Sequence, residues 1–580
     1  MENKAKKYYY FTLYRLCSET LLVALLFVFG NITKLLLNST GQSNASNTQI
    51  LHFIASVPGI LFIGFALLLF ALCIAIDIHS FLYLSLALHK GEQKISLFAI
   101  FKQGILALRK YRHWNRIVLI LFFSFVVPLL SIGIRLQIME NFAIPSFIFE
   151  VIQKKPLYYI LYITVLVLAF CVSIFYFFVF HYLLFGKESN IFQKAGQCMR
   201  QNWKAFLKNI GIIFVKHMAL VLLAVLFLFV FCMLPAYKMV LSNLARRIFL
   251  CFVFISVSAL LSILLLFVPS NILHQATHLF LQIEDVEYSG KAISKKGKSY
   301  RFKMTCIAIV GALGIAAVSV IYGVFFEEIF RSPKNIAIVA HRAGGTLGVE
   351  NSLTGLQKAI EHNIPYSEID IQRSKDGKYY VHHDNTLQRL AGSAKAIEEC
   401  NTEELQTLQI QDDFGKPEAL ADLTQVLRAG KDRIHLLIEC KGKTADTKMI
   451  DDVVQMLEQE QMQSQCTLLS LDLSLLEYSK SKYPHIQTGY LYYASLGDIS
   501  KISADILLME EQLATDTNIE RIQMAGKQAF VWTVNNEDAM RNFLQSNVDG
   551  IISDEPLQLQ DLQIQQKNKD DLELLLDTIF

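Results

Sequence analysis

Long apolar runs restrict this chain more than any other feature. They recur at Thr20–Leu37, Leu51–Ile76, Ile117–Ile138, Leu157–Leu184, Ile210–Leu234, Ile248–Ile272 and Cys306–Phe326, and then stop. Each holds about 18 residues or more, the length a helix needs to cross a hydrocarbon core ~30 Å thick. A chain with seven such runs cannot fold as one water-soluble domain, and 580 residues exceed a single domain in any case. The first run follows Lys4, Lys6 and Lys7 like the core of a secretion signal, but it carries no small-residue cleavage site and is read as an uncleaved helix. The stretch "IHSFLYLSLALHK" after Asp77 either extends the second helix or lies along the interface.

Charge divides the chain at the same place. Met1–Arg331 holds 31 Lys and Arg against 12 Asp and Glu, whereas the remainder holds 23 against 39. A basic half interleaved with apolar runs suits anionic headgroups. The acidic half has no basic stripe with aromatic residues between, so nucleic acid is excluded as a partner. Cys400, Cys440 and Cys466 fall in the acidic half without a CxxC pair, and no disulfide framework is implied.

Lys and Arg also orient the spans. "MENKAKKYYY", "FKQGILALRKYRHWNR", "GKESNIFQKAGQCMRQNWKAFLKN" and "SGKAISKKGKSYRFK" share one side in a seven-span reading, the cytoplasmic one. The uncharged "NSTGQSNASNTQ" falls outside, as do Lys154, Lys155, Arg246 and Arg247, which weaken the rule without reversing it. This reading places the N-terminus in the cytoplasm and everything after Arg331 outside the cell. "SLFAIFKQGILALRKYR" and "ESNIFQKAGQCMRQNWKAFLKN" read as amphipathic helices on the inner surface. The membrane half is either an anchor or a part with a lipid-handling or assembly role. No ordered set of intramembrane charges in the sequence argues for a pump or channel.

After Pro333 the pattern changes to alternating strands and helices. Eight strand candidates are "NIAIVAH", "YSEIDIQRS", "YYVHHD", "HLLIECK", "CTLLSLD", "QTGYLYY", "DILLMEE" and "AFVWTVN", the second and third joined by "KDGK". Helical segments lie between most of them, the first capped by Asn351 or Ser352. The spacing favours a parallel (β/α)₈ barrel, although a doubly wound sheet shows similar alternation. The expected division is a helical membrane domain over 1–330 and a TIM barrel over 331–580, with a closing helix after Pro556.

Polar residues gather where such a barrel carries its chemistry, at the C-terminal ends of strands. His341 and Arg342 end the first candidate, Glu368 and Asp370 lie in the second, His383 ends the third, and Glu439 and Lys441 end the fourth. Residues two apart share a face, so each acidic or mixed pair points one way, and only one of His382 and His383 can face the mouth. Glu368, Asp370 and Glu439 repel one another unless a cation lies between them. All-oxygen ligands select a hard ion, Ca²⁺ or Mg²⁺. Arg342 and Lys441 add fixed positive charge suited to phosphate. Two histidines on separate strands then serve as acid and base for attack on a phosphodiester.

The segments "AHRAGG", "VENS", "SEIDIQRSKDGKYYVHHDNTLQR", "LLIECKG", "VWTVNN" and "VDGIISDEP" resemble, in order, the motifs of the glycerophosphodiester phosphodiesterase family, from about Asn335 to Pro556. The preceding half resembles the membrane domain of some members. The resemblance implies a TIM barrel with Glu368, Asp370 and Glu439 as metal ligands, His341 and His383 as the acid/base pair, and Arg342 and Lys441 on phosphate. It also implies supporting roles for Glu350 and Asn351, an entrance lined by Trp532, and a specificity insertion between Asn385 and about Leu423. The family's His-Arg-Gly is His341-Arg342-Ala343 here, with Gly344 one place later, and its Pro-Glu-Asn is Val349-Glu350-Asn351. His382 is expected to pack against the helix layer, and His362 and His435 to be surface or structural.

The expected activity is metal-dependent hydrolysis of a glycerophosphodiester to sn-glycerol 3-phosphate and an alcohol. A phospholipase D-like lipase on lysophospholipids or other membrane lipids is the rival enzyme. A non-catalytic glycerophosphate-binding or assembly protein is the rival of another class.

Overall fold

The computed structural model describes residues 2–39, 44–47, 56–92, 94–112, 152–153, 155–186, 190–232, 242–284, 299–330 and 335–577. It divides into two compact units, the first comprising Met1–Asn31, Ile54–Phe142 and Val151–Phe326, the second Ile32–Phe53, Ala143–Glu150 and Glu327–Phe580.

The first unit is helical. Its long elements are α1 (Glu2–Ser39), α2 (Val57–His89), α3 (Pro156–Phe175), α4 (Ile191–Cys232), α5 (Asn243–Ile283) and α6 (Tyr300–Val324). Among the described residues, 6 helices are long and apolar enough to cross a membrane. They account for six of the seven expected spans; Ile117–Ile138 lies outside the described residues. Ser56, Ser242 and Ser299 cap α2, α5 and α6, each accepting a backbone N–H of the first turn. "IHSFLYLSLALHK" continues α2 to His89. The second amphipathic segment is no separate surface helix. It is the start of α4, which runs on through Asn209 and Gly211 into the apolar run with no proline to break it. The first is a helix over Leu97–Leu106 with a 3₁₀ extension to Arg112.

Helices α1, α2 and α5 meet at a buried polar knot. Arg15 pairs with Asp77 at 3.3 Å and donates from Nε to Ser270 Oγ at 3.0 Å, while the Tyr14 hydroxyl donates to Asp77 at 2.8 Å. Pairing offsets the cost of burying these charges. Sequence spacing gave no sign of it, since the partners lie on three different helices.

The second unit is built on eight parallel strands: β1 (Ala337–Ala340), β2 (Tyr366–Arg373), β3 (His435–Cys440), β4 (Cys466–Ser470), β5 (Gln487–Tyr492), β6 (Ile506–Glu510), β7 (Gln528–Trp532) and β8 (Gly550–Ser553). Each pairs with its neighbours in sequence, and β8 pairs with β1, so the sheet closes into a (β/α)₈ barrel. Strand alternation sorts the side chains. Val339, Leu437, Leu469, Leu491, Ile506, Leu508, Phe530 and Ile552 fill the interior, and Ile338, Ala340, Ile369, Ile371, Leu436 and Ile438 pack outward under the helices.

One strand assignment changes. "YYVHHD" supplies Tyr379–Val381, which runs antiparallel against the end of β2 and is not a barrel strand. The physical reason is its short connection: a turn with Gly377 at φ +88° reverses the chain at once, whereas a parallel partner needs a crossover of a dozen residues or more. The eighth barrel strand is Gly550–Ser553, from "VDGIISDEP". His383 therefore follows an edge strand, and Glu439 sits on the third barrel strand rather than a fourth. The segment after Asn385 folds over Leu387, Leu390, Ile397, Cys400, Leu405, Ile410 and Leu420 as a small core of its own. Pro556–Asn568 is a closing helix that buries Leu559 and Leu562.

A further strand of this unit comes from far upstream. Asn44–Ser46 pairs antiparallel with Ser495–Gly497, just beyond β5.

Gly550 shows how tightly the interior is filled, since a Cβ there would stand 2.5 Å from the Phe530 ring. Gly550→Ala should destabilise the barrel by about 1–3 kcal/mol, measured as a lowered midpoint of the barrel's thermal or denaturant unfolding.

Candidate active site

The first strand ends where the site begins. After Ala340 the chain turns through Arg342 (φ +47°), Ala343 (φ +75°) and Gly345 (φ +57°), all left-handed. This accounts for the run of small residues. A Cβ on Gly345 would fall 2.2 Å from the Asp554 carbonyl, and one on Gly344 would fall 2.6 Å from the Gly355 carbonyl. The turn delivers two groups to the mouth. His341 Nδ1 bonds Asp554 Oδ1 at 2.7 Å, leaving Nε2 3.9 Å from Glu368. The Arg342 backbone N–H donates to Glu368 Oε2 at 2.9 Å, and its guanidinium donates to Glu350 at 3.0 Å. Arg342 Nε is buried without a partner, a donor the protein itself does not satisfy.

Strands β2 and β3 supply the acidic groups. Asp370 and Glu439 are register partners across the two strands, and Glu368 lies one inward position below Asp370. Ligand atoms of Glu368, Asp370 and Glu439 all lie within 4.8 Å of one another, and all three residues are buried. Lys441 donates to Asp370 at 3.1 Å and to Glu439 at 3.3 Å. Asn351 (φ +55°) donates to Asp370 from Nδ2 at 2.9 Å and accepts the Asp370 N–H at 3.1 Å.

One positive charge cannot serve three carboxylates. Burial, reinforced by Asp370, raises Glu368 to about 7. Burial raises Glu439 to about 8, with Asp370 and Glu368 adding to it against the pull of Lys441. Burial opposes ionisation of Asp370 too, but Lys441, His383 and Arg342 overcome it and hold this carboxyl well below its usual range. An all-carboxylate set with this surplus of negative charge suits a divalent hard cation.

His383 faces the same mouth. Its Nδ1 bonds Asp384 at 3.0 Å, and burial lowers its pKa. Asp384 in turn takes Arg389 Nε at 2.7 Å, and Arg389 reaches Glu350 with Nη1 at 2.8 Å. Gln372 donates to the His382 and Asp384 carbonyls at 2.9 and 2.8 Å, fixing this turn. His382 is buried against Thr386 O at 3.1 Å, away from the carboxylates.

Two family models divide the chain between them. Residues 341–558 match the glycerophosphoryl diester phosphodiesterase family. Residues 3–320, more than half of the chain, match the membrane domain of glycerophosphoryl diester phosphodiesterase. The chain belongs to this family. It is a membrane protein, and its barrel is that of a phosphoric diester hydrolase. A glycerophosphodiester phosphodiesterase of Caldanaerobacter subterraneus is 25% identical over 228 residues, 38% of this chain and 94% of that protein. The Bacillus subtilis protein YhdW, named for the same family, is 27% identical over 229 residues, 38% and 94% of the two chains. A solved glycerophosphodiester phosphodiesterase of Thermotoga maritima covers 41% of this chain and 99% of its own at 26% identity and a TM-score of 0.33.

In this phosphodiesterase, Glu368, Asp370, Glu439, His341, His383, Arg342, Lys441, Glu350 and Asn351 all meet at one end of the barrel. Trp532 stands at the end of β7, partly buried over the interior, with Nε1 donating to Leu508 O at 2.9 Å. His435 is half-buried and bonds Thr467, and His362 is exposed on a helix end. Sequence reasoning gave no role to Asp554, Asn535 or Arg389. Asp554 holds His341 and is itself held by Asn535 Nδ2 at 2.6 Å. Both lie inside quoted motifs, "VDGIISDEP" and "VWTVNN", and only their convergence in space shows the contact.

Ala343 occupies a left-handed position that suits glycine, at a cost of roughly 1 kcal/mol. Ala343→Gly should raise stability by about 0.4–1 kcal/mol with turnover retained, seen as a higher unfolding midpoint of the purified protein.

Proposed function

We propose that this enzyme hydrolyses glycerophosphodiesters to sn-glycerol 3-phosphate and an alcohol, outside the cytoplasm, with a divalent cation. The observation that carries the reading is the convergence of three buried carboxylates with two histidines, an arginine and a lysine on one barrel mouth. The membrane half (1–330) holds the barrel half (331–580) at the bilayer, where glycerophosphodiesters and lipid-derived substrates meet it.

Glu368, Asp370 and Glu439 would hold Ca²⁺ or Mg²⁺. Such an ion supplies a Lewis acid for a phosphoryl oxygen and neutralises surplus negative charge. Arg342, with its unsatisfied Nε, and Lys441 bind the non-bridging oxygens and fix the phosphorus between the imidazoles. Asp554 and Asp384 each occupy Nδ1 of their histidine, so Nε2 of His341 and of His383 is the nitrogen that exchanges a proton. One imidazole takes a proton from the attacking oxygen as its bond to phosphorus forms. The other delivers a proton to the alcohol oxygen as that P–O bond breaks. The attacking oxygen is that of water, or the neighbouring glycerol hydroxyl through a cyclic phosphate. Glu350 and Asn351 position Arg342 and Asp370, and Trp532 lines the entrance.

Sidedness is supported by a contact within the second unit. The segment between α1 and α2 contains Asn44–Ser46, which pairs with the barrel. With Lys4, Lys6 and Lys7 holding the N-terminus inside, this segment lies outside, and the barrel lies with it. An outside barrel requires an odd number of spans, so this reading places one more beyond the six described, where Ile117–Ile138 is expected.

The experiment is a turnover assay on the purified full-length protein, following release of glycerol 3-phosphate from water-soluble and micellar diesters. Chelator should abolish turnover, and His383→Ala should lower it at least about 100-fold with the fold intact. Turnover unaffected by chelator would remove the metal from the reading, and release only from micellar lipids would favour the lipase. The raised Glu368 and Glu439 bind protons in the fold that they lack when unfolded. Their stabilising effect is present below their ordinary value of 4.5 and is lost as pH rises through about 7 and 8. Melting curves in chelator should therefore fall across that window, and saturating Ca²⁺ or Mg²⁺ should reverse the fall.

A further inference from the structure

The strand Asn44–Ser46 ends in a residue that does more than pair. Asn47 is 1% exposed, at φ +47°, a left-handed conformation that asparagine tolerates. Its Nδ2 donates to Leu491 O at 2.7 Å and to Leu471 O at 3.2 Å. Its Oδ1 accepts the Tyr493 N–H at 3.1 Å, and its backbone N–H donates to Ala494 O at 3.2 Å. A side chain from between the first two membrane helices thus bridges the ends of β4 and β5.

Register fixes the height of this bridge. Glu439 pairs with Leu469, so Leu471 lies two residues further toward the mouth, about 7 Å above the carboxylates. Leu491 pairs with Leu508, whose carbonyl accepts the Trp532 indole N–H. Asn47 and Trp532 therefore occupy adjoining parts of one rim, over β4 to β7. Leu491 belongs to the interior cluster below it, against which Leu471 and Trp532 pack. The three carboxylates of the acidic cluster, Arg342, Lys441 and the two histidines stand opposite, on β1 to β3 and the turn after Val381, while Glu510, buried at the end of β6, is the register partner of Trp532 on the rim's own side. A diester whose phosphate lies on Arg342 and Lys441 must run one arm past this rim. The rim's carbonyls are already engaged by Asn47 and Trp532. With those carbonyls engaged and the Glu510 carboxylate beside them, the rim suits a bulky cationic alcohol.

We propose that Asn44–Asn47, between the first two membrane helices, is part of the substrate-binding wall, with Asn47 closing the β4–β5 side of the entrance and selecting the alcohol arm. This rests on the hydrolase reading of the mouth. The membrane half then shapes the site as well as holding it.

Two arms of one experiment on the full-length protein test it. In the first, Ser46→Cys with Ser495→Cys, which are direct register partners, is oxidised and the joined peptide sought by mass spectrometry. In the second, Asn47→Gly, which keeps the backbone conformation, is assayed against glycerophosphodiesters of methanol, ethanolamine and choline. The expected result is a crosslink, with KM for the choline diester raised about tenfold and kcat and the methanol diester changed less than about threefold. No crosslink in a protein that turns over diesters overturns the proposal, as does a change in KM equal for all three alcohols or absent from all. The crosslink requires no turnover, so loss of the hydrolase reading and loss of the wall are separately visible.

Discussion

Mutual repulsion of Glu368, Asp370 and Glu439 is the constraint from which the rest of the barrel mouth follows. Three carboxyl groups this close and this deeply buried are held in place only because their surroundings oppose their separation. Lys441 reaches two of them, Asn351 clamps Asp370 at both its backbone and its side chain, and the Arg342 N–H fixes Glu368. Two of these clamps come from residues in left-handed conformations, Arg342 and Asn351. The turn after β1 and the acidic cluster are thus tied together: the turn places one donor on Glu368, and Lys441 at the end of β3 reaches the other two acids.

A second set of charges surrounds this cluster and keeps the histidines in register with it. Asp554 and Asp384 each hold one imidazole from behind. Arg389 then links Asp384 to Glu350, and Glu350 binds Arg342. The two histidines come from opposite flanks of the acidic cluster, yet both reach Arg342, one by direct sequence adjacency and the other through this chain of ion pairs. Charge-assisted bonds of this kind fix orientation as much as they add energy.

Much of this was legible in the sequence because inward positions on a strand recur every second residue. Glu368 with Asp370 and Glu439 with Lys441 could be placed on one face from spacing alone. Strand membership was less legible, since "YYVHHD" and "DGIIS" are both short and apolar. Only the tight turn before the first, which forces antiparallel pairing, tells them apart. The supports of the histidines were harder still. Asp554 lies 213 residues from His341, a separation that no local pattern encodes. Asn47 sits in an uncharged stretch that composition marks only as a loop, and its partners lie more than 400 positions away.

The Arg15, Asp77 and Ser270 knot bears on how the helical unit is made. Arg15 and Asp77 are 62 positions apart, so the guanidinium meets its carboxylate once the second helix has left the ribosome. Ser270 is 255 positions away and arrives much later. The ion pair therefore needs only the first two helices, whereas the hydroxyl that completes the contact comes from α5. The guanidinium, the most expensive group of the unit to bury, thus has its counter-charge within the first two helices.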